Sequence, residues 1–167
     1  AALSVLVRLM PWLTAQRSME EILRAINAAL GSTLAWVVIR QDDAWQLVSA
    51  GAPGCTLQDV QTFLEQSQLQ RHQRAWRVIC WRRHAGDLLF PHQEISARKL
   101  RSGILCKLNY KESGLEGYFF LAFSQPLSSL SIVKNVVIVL VEKLKNYLAE
   151  IVARERTAKE MQRIVTQ

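Results

Sequence analysis

The sequence lacks most of the signatures that mark a catalytic domain. It has no glycine-rich phosphate loop ending in Gly-Lys, no Gly-x-Ser-x-Gly elbow and no Cys-x-x-Cys pair. Phosphoryl transfer, serine-type acyl transfer and dithiol chemistry therefore lose their usual anchors. No catalytic residue is assigned, and the chain reads as a non-enzyme. Its three cysteines, Cys55, Cys80 and Cys106, cannot all pair within one chain, which suits a reducing, cytoplasmic setting. The apolar run Val136 to Val141 is flanked by Lys134, Asn135 and Glu142, far short of the roughly 20 apolar residues that cross a bilayer. No leader pattern stands at the start. The first residue is Ala1 rather than Met, and charged, helix-forming sequence continues to Gln167, so both ends are expected to be cut from a longer protein with an output domain beyond.

What the sequence does contain is a core. Half of its 167 residues are apolar, enough for one domain with a buried interior. The formal net charge of +7 is concentrated: Arg71, Arg74, Arg77, Arg82, Arg83, Arg98, Lys99, Arg101, Lys107 and Lys111 face only two acids, Asp87 and Glu94, over that stretch. A segment of this kind forms a solvated surface or attracts an anionic partner.

Periodicity gives a helical start, a stranded middle and a helical end. Leu3, Leu6, Met10 and Leu13 recur at spacings of three and four, one stripe of a first helix. Ser18 followed by Glu21 has the form of a capping box opening a second helix, with Met19, Ile22, Leu23, Ile26 and Leu30 as its buried stripe and Gly31 as its end. Thr33 to Arg40 is apolar on both faces and reads as a central strand; Asp42 and Asp43 turn it back into Trp45 to Ala50. Leu57 to about Gln70 reads as a third helix and Trp76 to Trp81 as a third strand. Periodicity then disappears from Arg82 to Arg101, a long connection with one short helix near Glu94 to Leu100. Gly103 to Tyr110 and Gly117 to Ser124 form a closing pair of strands.

This order, with Leu34 to Ile39 before the acidic turn, Leu47 to Gly51, and the pair Ser102 to Leu108 and Gly117 to Ser124, resembles the GAF family of sensory domains. The PAS family is the nearest competitor; its usual order lacks the two leading helices. The resemblance implies an α+β fold: a central antiparallel β-sheet of about five or six strands, N- and C-terminal helices packed on one face, and a ligand pocket over the other. It implies a single sensory domain over residues 1–167 that regulates an output domain. No cofactor follows from it. Cys55, Cys80 and Cys106 are followed by Thr56, Trp81 and Lys107 rather than by the histidine of bilin-carrying members, and Asn109 is followed by Tyr110, outside the pattern of cyclic-nucleotide binders.

The expected site is the mouth of that pocket beneath the long connection, lined by Arg82, Arg83, His84, His92, Arg98 and Arg101, whose cations would select an anionic small molecule. His84, Asp87, His92 and Glu94 have ligand-type chemistry but not the spacing of a metal site, so no metal is assigned. Trp36, Trp45, Trp76 and Trp81 are expected to fill the core, or to stack on a planar ligand beside Arg77 or Arg82. Basic and aromatic residues together also suit single-stranded nucleic acid, but Tyr118 to Phe123 is apolar on both faces and reads as buried, which speaks against that partner. Cys80 and Cys106 read as small buried side chains.

The last helix is expected to begin near Ser131. Val137, Leu144, Ile151, Ala158 and Val165 fall on one heptad line, and Leu140, Tyr147, Arg154 and Met161 on the line three residues on, the pattern of a coiled coil. With Leu3, Leu6, Met10 and Leu13 these residues predict a parallel homodimer, and a signal passing along the helix at Arg154. The alternative is a dimerisation or protein-interaction module without a ligand.

Overall fold

The computed structural model describes residues 4, 7–9, 11, 17–41, 43–51, 56–66, 78–82, 100–109, 116–124 and 130–166. Ser4, Val7, Arg8, Leu9 and Pro11 are helical, and Leu9 is buried in the core; Leu3, Leu6, Met10 and Leu13 lie outside the described residues. Helix α1 (Met19–Leu30) begins where the sequence signals it. The Ser18 hydroxyl accepts from the Glu21 main-chain N–H at 3.3 Å, satisfying one of the donors a helix start leaves open. Gly31 ends the helix in the left-handed region at φ 73, a conformation that costs glycine nothing.

Strands β1 (Leu34–Gln41) and β2 (Ala44–Ala50) pair antiparallel, with Gln41 opposite Ala44. Of the two acids expected in the turn, Asp42 lies outside the described residues. Asp43 takes φ 63 there, and its carboxylate accepts from Arg40 at 3.0 Å. Helix α2 (Leu57–Gln66) is opened by a reciprocal cap: Asp59 N–H donates to Thr56 Oγ1 at 3.2 Å and Thr56 N–H to Asp59 Oδ2 at 3.1 Å. Strands β3 (Val78–Arg82), β4 (Ser102–Lys107) and β5 (Glu116–Phe123) follow, and helix α3 (Leu130–Thr166) closes the fold.

The described strands form one antiparallel sheet in the order β2-β1-β5-β4-β3. Chain-remote β1 and β5 are thus central neighbours, which accounts for their apolar sequence on both faces. Gly117 allows them to meet: a Cβ there would sit 2.4 Å from the Val38 carbonyl oxygen.

Two hydrophobic layers result. On one face Ala35, Val37, Ile104, Cys106, Phe119 and Leu121 pack against Ile22, Leu23 and Ile26 of α1 and against Val137, Leu140, Val141, Leu144, Leu148 and Val152 of α3. On the other, Leu34, Trp36, Val38, Leu105, Tyr118, Phe120 and Ala122 lie under Val60 of α2 and under Leu100. Asn27 ties the first layer to the sheet, donating to the Ala50 carbonyl at 3.2 Å and accepting from the buried Ser32 hydroxyl at 2.6 Å.

The heptad line of α3 faces the sheet of its own chain over much of its length. Val137, Leu140 and Leu144 are fully buried in the core of their own chain, and Tyr147 packs on the same core, so the sheet covers that part of the heptad line. Ile151 is half-buried and Val152 is the last buried position; residues 153–166 are exposed. Among the described residues no helix is long and apolar enough to cross a membrane.

Candidate functional site

The strand register arranges the second face in rows. Its centre is Trp36 beside Phe120 beside Leu105. The Trp36 and Phe120 rings stack with centroids 4.9 Å apart and planes 25° from parallel, a favourable offset arrangement for two quadrupoles. The next row runs Leu47, Val38, Tyr118, Lys107, and the one after it Trp45, Arg40, Glu116. An aromatic floor therefore grades into a charged rim. Arg40 lies 3.0 Å from Asp43 and 3.7 Å from Glu116, and half-buried Lys107 stands opposite Tyr118 in the register. Burial, and secondarily Glu116, raise the Tyr118 phenol above its ordinary pKa, so it stays protonated and able to donate at neutral pH.

The other end of this face receives the long connection. Arg82 pairs with Ser102, and the Arg101 main-chain N–H donates to the Phe123 carbonyl at 2.8 Å. The two ends of the 83–99 stretch are thereby fixed at one end of the sheet, and Leu100, fully buried, pins its exit onto the aromatic layer. Of the expected ligand residues, Arg101 is exposed at this junction; Arg82 is described in its backbone only, and Arg83, His84, His92 and Arg98 lie outside the described residues, as do Asp87, Glu94 and Trp76. Among the described residues no cluster of three or more His, Cys, Asp or Glu forms a metal site.

Cys106 belongs to the helix-covered layer and stands opposite Val78, while Cys80 stands opposite Ile104. The two cysteines are not cross-strand partners. A groove of about 390 Å³ runs along α1, lined by Arg17, Glu21, Arg24, Ala25 and Ala28. It belongs to the helical layer rather than to the aromatic face, and its charges pair locally, Arg17 with Glu21 at 3.8 Å and Arg24 with Glu20.

Sequence reasoning placed the cations of the site in the long connection and overlooked Arg40, Lys107 and Tyr118. The signal was present: in Leu34-Ala35-Trp36-Val37-Val38 and Tyr118-Phe119-Phe120, alternate residues belong to different layers, and counting Arg40 in the Trp36 set and Lys107 in the Leu105 set would have found the rim.

The fold is shared with solved structures. A GAF domain from A. aeolicus, in an inactive state, is similar at 14% identity and a TM-score of 0.61, covering 88% of this chain and 94% of that one. The GAF domain of an Acinetobacter phosphoenolpyruvate-protein phosphotransferase is similar at 13% identity and a TM-score of 0.60, covering 93% and 97%. The chain has a GAF-like fold. The same architecture extends to an N-acylhomoserine lactone dependent LuxR-family transcription factor from Burkholderia cenocepacia, at 18% identity and a TM-score of 0.62, covering 88% and 94%. No family model and no curated protein matches the sequence.

Proposed function

We propose that the chain is a cytoplasmic regulatory domain that senses a small ligand on the aromatic face of its sheet and transmits occupancy along α3 to an output domain beyond it. The observation that carries this reading is the difference between the two faces among the described residues: one packs against α1 and α3, the other against the short helix α2 and Leu100 at the exit of the long connection. Lys107 on the rim and Arg101 at the far end suit an anionic or carboxylate-bearing molecule, whereas Arg40 is already matched by Asp43 and Glu116. The Burkholderia transcription factor depends on an N-acylhomoserine lactone, which supports a small-molecule role for this fold. Catalysis has no part in this reading.

Output requires a partner for the free end of α3. Met161 is 65% exposed, Ile164 72% and Val165 83%. They lie at spacings of three and four, on one side of a helical segment of 14 residues that extends roughly 21 Å past the core at about 1.5 Å per residue. A second copy is the simplest cover, giving a homodimer with the two free ends side by side. A ligand-free dimerisation module is the second reading, favoured by the stacking of Trp36 on Phe120, which fills the centre of the aromatic face.

Native mass spectrometry of protein purified from cells separates the two: retained small-molecule mass supports the sensor, and its absence, together with no thermal shift from a panel of anionic metabolites, supports the module. In either case sedimentation equilibrium is expected to give a dimer that Met161→Asp with Val165→Asp converts to monomer. A monomeric parent, or a dimer untouched by the double substitution, rules out the helical seam.

A further inference from the structure

Tyr147 stands where α3 changes from a packed helix to a free one. Its ring lies against the helical layer, and its hydroxyl donates to the main-chain carbonyl of Arg17, the residue before the Ser18 cap of α1. Little more than one turn later Val152 is the last buried position of α3. The bond thus joins the start of one helix to the departure point of another across 130 residues of sequence. Exposed ion pairs flank it, Arg17 with Glu21 at 3.8 Å and Arg154 with Glu150 at 2.7 Å. Burial raises the phenol's pKa; Arg154 opposes that and Glu150 and Glu21 add to it, so the hydroxyl keeps its proton and remains a donor at neutral pH.

We propose that the Tyr147–Arg17 bond is a release latch that sets the angular phase with which the free end of α3 leaves the body. The deduction has three steps. The apolar faces of α1 and α3 hold both helices on the sheet, but non-directional packing fixes rotation about a helix axis less tightly than a hydrogen bond does. The latch is a directional contact between the start of α1 and α3, and it lies at the last turns before the core ends. It is also half-exposed, so its contribution is modest, about a fivefold bias in the local opening equilibrium. A bias of that size orders the exit turn and is small enough for ligand binding to reverse. Movement of the start of α1 withdraws the acceptor, and the last packed turns of α3 are released. Tyr147 is a positioning residue in this scheme, which rests on the reading of the free end as the output.

The test uses the full chain and Tyr147→Phe, which keeps the ring and removes the donor. Hydrogen exchange read by mass spectrometry is expected to accelerate about fivefold in residues 17–23 and 145–152, with residues 118–123 unchanged and the sedimentation dimer constant shifted. Unchanged exchange in the two linked segments overturns the latch, as does uniform acceleration throughout the chain, which would mean only a general loss of stability. A parent chain that sediments as a monomer defeats the dimeric output reading instead, and the exchange comparison still decides the latch.

Discussion

Phe119 and Phe120 are neighbours in sequence, both fully buried, and belong to opposite layers of the same strand. Phe119 sits between Val37 and Cys106 under a lid of two helices, α1 and α3. Phe120 sits between Trp36 and Leu105 under α2. Equal burial goes with different support among the described residues: one ring is held by elements that also hold each other, through Tyr147 and Arg17, the other by α2, a helix of 10 residues, together with Leu100. A sheet built this way can keep its shape on one side while its other side adapts to an occupant.

The sharpest way to break that comparison is to truncate both rings. Phe119→Ala is expected to lose about 4–5 kcal/mol of unfolding free energy in urea titrations, near the top of the range for a large-to-small core change, because the two helices cannot collapse into the space. Phe120→Ala is expected to lose less, about 3 kcal/mol, because α2 can settle toward the sheet. Equal losses would show that the two layers are equally rigid.

A substitution that belongs to both layers comes next. Gly117→Ala puts a Cβ against the Val38 carbonyl oxygen, a backbone atom that cannot rotate away, and so strains the β1–β5 pairing on which both faces rest. A loss of about 1–3 kcal/mol is expected, with ligand binding and α3 packing disturbed together; a variant as stable as the parent would show that the strands can separate locally.

The smallest effect is confined to the aromatic layer and to high pH. The folded Tyr118 phenol has a pKa above its ordinary 10.0, so between those two values the folded chain retains a proton that the unfolded chain has released. The stability this provides is complete below pH 10 and is lost as pH rises through the folded value. Tyr118→Phe should flatten the fall in urea midpoint above pH 10; Tyr147, also raised, keeps its own share of the decline in the helical layer. An unchanged slope would place Tyr118 in a more solvated setting than its burial implies.

Much of this fold was legible because its signals are local. The Ser18 cap, the Gly31 stop and the two-sided apolar runs of β1 and β5 each arise from one physical demand acting on a few consecutive residues. The seam is less legible because a heptad line reports only that one side of a helix is covered. Val137, Leu140 and Leu144 have the same spacing whether the cover is a sheet or a second chain, and only the place where burial stops, at Val152, separates the two. The site was partly legible for a related reason. A concentration of charge is conspicuous in sequence, whereas Arg40, Lys107 and Tyr118 come from three strands and meet only through register, which depends on pairings between β1 and β5 more than 70 residues apart.

Cys106 gives the molecule an internal clock. Its thiol is completely buried in the helix-covered layer, where an alkylating reagent cannot reach it until that layer opens. Its modification rate, read on the peptide that carries it, therefore counts openings of the sealed layer rather than the reactivity of sulfur. If occupancy of the opposite face tightens or loosens the helices, that clock slows or quickens, and communication through the thickness of the sheet becomes measurable without a label or an output domain.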